Sequence, residues 1–155
     1  APPKVKPFEP YFTRGQSLRF RLVANPTKKI NTIKKEERQN CTEEELKGKE
    51  GRHGKRVPVR DDQLFDWLAR KAKESGFSIK KDSTTVQKGY IYVNNPLKKD
   101  DGSRLRSVRY EGILEVIDAD NFRNTLIRGI GSGKAFGLGL LSVEPVHPFN
   151  PSETK

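Results

Sequence analysis

The stretch RGIGSGKAFGLGLLSV, residues 128–143, sets five glycines around a single lysine. Glycine next to lysine is the chemistry of phosphate binding. Amides without side-chain shielding can converge on an anion, and the ammonium adds a point charge. Nucleotide hydrolysis does not fit. A Walker A loop needs G-x-x-x-x-G-K-[ST] between a strand and a following helix. Gly133 and Lys134 match, but position 128 is Arg and position 135 is Ala, which has no hydroxyl for magnesium. The context is also reversed, because a helix is expected before the loop and a strand after it. The dinucleotide fingerprint fails for the same reason. What remains is backbone at Gly129, Gly131 and Gly133, with Lys134, lying against a phosphate. The plain alternative is a glycine-rich turn after a helix. Gly137 and Gly139 are expected inside the last strand, for close packing or a bulge.

A second signal is KGYIYV, residues 88–93, which resembles part of an RNA-recognition-motif platform. It departs from that pattern at Ile91 and Asn95 and falls on the second strand, where the third is expected. Tyr90 and Tyr92 are therefore candidates for stacking on bases, with ordinary strand packing as the alternative.

The composition points the same way. The chain has 155 residues and a formal net charge of +11. Such a surplus favours a polyanionic partner, nucleic acid first and an anionic membrane surface second. No apolar run approaches a membrane span, and no signal peptide is visible. Cys41 is the single cysteine, so no internal disulfide forms, and a zinc site of the usual kind lacks its partners. A reducing, cytoplasmic setting fits.

The elements that must position these residues can be read from periodicity. Residues 1–14 form a proline-marked linker, residues 15–146 one domain, and residues 147–155 a tail. In SLRFRLVANP, Leu18, Phe20 and Leu22 share one face of a strand and Arg19 and Arg21 the other. Residues 27–56 are charged and without apolar period, which predicts a mobile insertion. DDQLFDWLARKAKESG predicts a helix capped by Asp61 or Asp62 and stopped by Gly76, with Leu64, Phe65, Leu68 and Ala72 inward and Trp67 flanking them, as core packing and not a base-stacking platform. A strand around GYIYV and another through RSVRYEGILEVI form a hairpin with a basic tip of Lys98, Lys99, Arg104 and Arg106. On the second strand, Val108, Tyr110, Leu114 and Val116 face one way; Ser107, Arg109, Glu111 and Glu115 face the other. DADNFRNTLIRGIG predicts a second helix with Phe122, Leu126 and Ile127 inward, and GLGLLSVEPV a last strand. The order βαββαβ predicts an α+β, ferredoxin-like (RRM-like) fold. Its four-stranded antiparallel sheet has two helices on one face and the other face free for a partner.

At this level the chain resembles a known family, the CasE endoribonucleases that process CRISPR RNA in type I-E systems. The stretches that carry the likeness are LRFRLVANPTK, KRVPV with QLFDWLARK, VRYEGILEVID and GIGSGKAFGLGLLSV. The last, G-I-G-x-x-K-x-x-G-x-G-L-L-S, is the most specific. The family has two ferredoxin-like domains, and this chain looks like the second with the linker into it. The resemblance implies binding of the repeat-derived hairpin of CRISPR precursor RNA, metal-independent cleavage at the base of its stem, and retention of the product with other subunits of a surveillance complex. It implies RNA contact by Gly129, Gly131, Ser132, Gly133 and Lys134, and by Lys88, Arg104, Arg106 and Arg109. Neither a cofactor nor a metal is implied. The family's catalytic histidine lies near the start of its first domain, a region with no counterpart here, so activity of this chain is left open. His53 and His147 are the two histidines present, and His53 is the better candidate base. The competing reading is a non-catalytic ferredoxin-like RNA-binding module or a ribosome-associated protein.

Overall fold

The computed structural model of the chain describes residues 2–31, 39, 42–45, 54–93 and 103–146. Strand β1, Ser17–Ala24, alternates exposed and buried side chains and sends Leu18, Phe20, Leu22 and Ala24 inward. Strands β2, Thr27–Asn31, and β3, Gly54–Pro58, pair as a separate antiparallel ribbon. A 3-10 turn at Asp61–Gln63 leads into helix α1, Leu64–Glu74. Strands β4, Phe77–Val93, and β5, Ser103–Val116, form a long hairpin. Helix α2, Ala119–Arg128, and strand β6, Leu141–Pro145, complete the order. The main sheet runs β4-β5-β1-β6 with every neighbouring pair antiparallel. This is the expected ferredoxin-like architecture.

One core lies between the helices and one sheet face. It joins Leu64, Leu68 and Ala72 of α1 and Phe122 and Leu126 of α2 to Leu18, Leu22, Val108, Tyr110, Leu114 and Val116. Each fully buried leucine contributes roughly 1.5–3 kcal/mol relative to exposure. The linker before β1 is tied down by Phe12, whose ring meets Phe122 edge-on at 4.9 Å.

Both helices stop at glycines of positive φ. Gly76 (φ 78°) ends α1, and its carbonyl accepts the amides of Ile117 and Asp118 at 2.9 Å. Asp118 caps α2 by accepting the Asn121 amide at 3.1 Å. Four expectations need correction. Phe65, expected inward, is only half-buried, while Trp67 packs in the core as expected and stacks on Tyr110 at 6.2 Å. Ile127 is 65% exposed, since Thr125 takes the inward place and hydrogen-bonds the Ser75 carbonyl. Strand β6 is shorter than GLGLLSVEPV, and its first four residues belong to the glycine loop. Finally, the two ends of the charged insertion, Thr27–Asn31 and Gly54–Pro58, pair as the β2–β3 ribbon.

Strand β4 also starts earlier than its periodicity suggests, at Phe77 and not near Lys88. Three extra residues bulge between Ile79 and Thr84, where the partners step only from Leu114 to Gly112. The bulge folds so close to β5 that a Cβ at Gly112 would collide with the Ser83 carbonyl.

Candidate nucleic-acid interface

The register of the hairpin sorts the predicted basic residues onto two faces. Lys88 pairs with Val108, Tyr90 with Arg106 and Tyr92 with Arg104. Directly opposed residues in a ladder share a face. Lys88, Tyr90, Tyr92, Arg104 and Arg106 therefore continue the face on which Val108 and Tyr110 are buried, out beyond the helices. Arg109 has the opposite parity and lies on the helix-free face. There its Nε lies 3.0 Å from Glu111 Oε1, which also holds Arg21 Nε at 2.5 Å. Arg19 sits 3.7 Å from Glu144 on the same face. On the helix-free face Arg19, Arg21 and Arg109 are thus each paired with a glutamate.

The helix-side face is organised by Asp61. Its Oδ2 accepts from Lys88 Nζ at 2.7 Å, and its Oδ1 accepts from Arg106. Asp61 is thus not the helix cap expected from sequence, and no side chain caps α1. The Lys88 hydrogen bond is the main cause holding the Asp61 carboxyl below the usual carboxylate range; desolvation opposes it and Arg106 reinforces it. Arg106 also donates to the Val59 carbonyl at 2.5 Å, and its side chain is only 13% exposed. It braces the hairpin against the segment entering α1. Lys88 and Arg104 are the outward cations of this strip. Lys98 and Lys99, the rest of the expected tip, lie outside the described residues.

The glycine loop follows α2. Gly129 (φ 72°), Gly131 (φ 84°) and Gly133 (φ 82°) are all left-handed, a conformation other residues rarely adopt. Each also has a neighbour where a side chain would go. A Cβ at Gly129 would meet the Gly139 carbonyl oxygen at 2.7 Å, one at Gly131 the Trp67 ring at 3.2 Å, and one at Gly133 Leu138 at 3.1 Å. The loop is stapled at its ends by Ile130 N–H to the Gly139 carbonyl (2.8 Å) and Gly139 N–H to the Val23 carbonyl (2.7 Å). Gly137 and Gly139 lie in this loop, not in the last strand as expected. Among the described residues, no acceptor meets the amides of Gly131 and Gly133. Lys134 is exposed beside them, on a cleft of about 210 Å³ that Lys71, Arg128 and Gly131 also line.

A chain of contacts ties this loop to the hairpin. Ser132 Oγ donates to the Asn25 carbonyl at 3.2 Å and lies 3.2 Å from Thr27 Oγ1. Trp67 Nε1 donates to the Thr27 carbonyl at 3.2 Å, and Val59 N–H to the Pro26 carbonyl at 3.0 Å. Val59 in turn accepts from Arg106. The ribbon β2–β3 leaves from the middle of this chain. Its ten residues include Lys28, Lys29, Lys55 and Arg56 and no acid. Sequence reasoning noted the basic end of the insertion but not that two strands display it. The candidate base His53 and the tail His147 lie outside the described residues, as does Cys41.

Comparisons with known proteins bear on this geometry. The family described as "CRISPR associated protein" matches residues 2–145. The chain is 35% identical over 149 residues to the CRISPR-associated endoribonuclease Cse3 of Thermus thermophilus, covering 90% of this chain and 61% of that protein. It is 29% identical over 144 residues to the Cascade subunit CasE of Escherichia coli, covering 92% and 65%. A solved structure of a CRISPR endoribonuclease Cse3 bound to a 19-nucleotide RNA superposes with a TM-score of 0.68 at 34% identity, covering 90% of this chain and 61% of that one. The chain thus spans a little over three fifths of the curated relatives it matches. It belongs to the CRISPR-associated protein family, in its CasE (Cse3) group.

Proposed function

We propose that residues 15–146 are the RNA-gripping domain of a CasE-type endoribonuclease, recognising the repeat-derived hairpin of CRISPR precursor RNA. The observation that carries this reading is the chain of contacts from the glycine loop through Thr27 and Val59 to Arg106, with Lys134 at one end, Lys88 and Arg104 at the other, and the basic β2–β3 ribbon leaving between them. Lys88, Arg104 and Lys134 contact phosphates, and the Gly131 and Gly133 amides meet a backbone oxygen. Ser132, Gly129 and Arg106 hold these groups in place. Paired RNA is read through shape and phosphates in this way, and a stem is a rigid target for spaced cations. Arg109, on the far face, is not part of the contact. The RNA-bound relative supports the choice of ligand.

Within the whole enzyme the reaction is attack by an RNA 2′-hydroxyl on the adjacent phosphate. The P–O5′ bond breaks, a cyclic phosphate forms, and the leaving oxygen takes a proton. A base must accept the 2′-hydroxyl proton, and an acid must donate a proton to the leaving 5′-oxygen. This domain contributes amides and cations that stabilise the charged phosphorane. The product stays bound in a cytoplasmic surveillance complex with other subunits.

A labelled repeat stem-loop RNA and a scrambled, unpaired RNA of equal length, each mixed with the full chain in EDTA, test this on native and denaturing gels. Selective retention of the stem-loop is expected. Equal retention of both RNAs would favour a general RNA-binding module. Cleavage in the denaturing lanes would make His53→Ala the next variant.

A further inference from the structure

The hairpin strip carries two aromatic rings that phosphate binding does not use. Tyr90 and Tyr92 alternate with β4 residues of the other face, on the same side as Lys88. They are 53% and 75% exposed. By register Arg104 stands opposite Tyr92, yet its guanidinium leans away and lies over the Tyr90 ring, 4.2 Å from the centroid. Tyr90 is thereby covered on one side by a cation, which leaves Tyr92 the more exposed ring. Among the described residues, no ring, cation or hydrogen-bond partner meets Tyr92. The rings do not form the platform that KGYIYV suggested, because they sit on the helix-side face of an edge strand.

We propose that Tyr92, flanked by the Arg104–Tyr90 stack, is a seat for an unpaired nucleobase next to the RNA stem. A planar ring presented to solvent among cations suits a base whose phosphates those cations hold, since every base has a π-face and stacking tolerates any sequence. Arginine over tyrosine adds a second planar surface at the same height. A protein partner is the lesser fit, because the neighbours on this face are Lys88, Arg104 and Arg106 and not an apolar patch. A fully paired stem has no free base to offer, so the seat reads the junction where pairing ends. The site distinguishes a stem with a single-stranded flank from a blunt duplex.

This inference rests on the RNA-binding reading above, and the test separates the two. The full chain and its Tyr92→Ala, Tyr92→Phe and Lys88→Ala variants are titrated with two RNAs. One is a blunt, loop-free duplex. The other is the same duplex with an unpaired extension carrying 2-aminopurine. Tyr92→Ala is expected to lose about tenfold in affinity for the extended RNA, the scale of one stacked base, and to abolish the change in 2-aminopurine emission. It should stay within about twofold of the parent on the blunt duplex. Tyr92→Phe should keep both properties, and Lys88→Ala should weaken both RNAs. Unchanged affinity of Tyr92→Ala for the extended RNA would overturn the seat. So would an equal loss in Tyr92→Phe, which would mean a hydroxyl contact and no stacking. Failure of the parent chain to bind either RNA would overturn the RNA reading and the seat with it.

Discussion

Trp67 occupies the space that a side chain at Gly131 would need, its ring 3.2 Å from where that Cβ would stand. The indole is buried, stacked on Tyr110 and hydrogen-bonded to the Thr27 carbonyl. The loop is therefore pressed onto the core by its own lack of side chains. That packing presents Ser132 and Lys134 at fixed positions beside the end of β1.

Replacing Gly131 with Ala should accordingly destabilise the domain before it affects any ligand. Both the positive φ and the indole oppose the new methyl, and about 1–3 kcal/mol is expected. Gly139→Ala should cost more, because there the obstacle is the Ile130 carbonyl oxygen at 2.6 Å, which is backbone and cannot rotate away. Thermal or urea unfolding of the two variants checks the order. The glycines are thus poor probes of phosphate contact, and Lys134→Ala is the clean one.

Arg106 and Lys88 share one carboxylate and should nevertheless behave differently. Arg106→Ala removes a nearly buried guanidinium from the Val59 carbonyl, a charged hydrogen bond that contributes about 1.5–3 kcal/mol. Arg106 uses two separate nitrogens for its two acceptors, where lysine offers one, so Arg106→Lys should not fully restore stability. Lys88→Ala removes an exposed cation, and its unfolding midpoint should barely move. Denaturation of the three variants decides the matter.

Two groups give the stability a pH dependence of opposite sign. Asp61 titrates below its ordinary 3.8 when folded, so its contribution is present above that value and is lost as pH falls through the lower folded one. Asp61→Asn should flatten the acid limb relative to the parent. Burial pushes the Tyr110 phenol above its usual 10.0, while its hydroxyl donates to the Leu64 carbonyl at 3.0 Å. Its contribution is full below about 10 and is lost as pH rises beyond it, where the unfolded chain ionises first. Tyr110→Phe should lose about 1 kcal/mol at neutral pH and decline less steeply in the alkaline range. Stability measured across pH for each pair gives the comparison.

Binding of stem-loop RNA should weaken steeply as salt rises, because each neutralised phosphate releases counterions. Lys134→Ala and Lys88→Ala should each reduce the slope of log affinity against log salt by about one. An unaltered slope in either variant would remove that lysine from the contact.

The sheet and both helices were legible because their alternation is strong. SLRFRLVA and VRYEGILEV leave one register that buries Leu22, Tyr110 and Leu114 together. The same period of two puts Arg109 on the other face from Arg104 and Arg106, a consequence of spacing alone. The ribbon was not legible, since TKKIN and GKRVP hold cations where a period of two would need apolar residues. The first half of β4 was hidden for a related reason: KKDSTTVQK lies on an edge strand with mostly exposed side chains. The role of Asp61 was out of reach because its partners are 27 and 45 residues away, while the local pattern pointed to a cap.

The most direct test of which face meets RNA compares Lys88→Ala with Arg109→Ala, two cations on opposite sides of one hairpin. Their affinities for a repeat stem-loop RNA are measured at fixed salt beside the parent chain. A loss of about tenfold is expected for Lys88→Ala, one charged contact, and a change within about twofold for Arg109→Ala. A loss in Arg109→Ala with Lys88→Ala unchanged would contradict this assignment and move the RNA to the helix-free face.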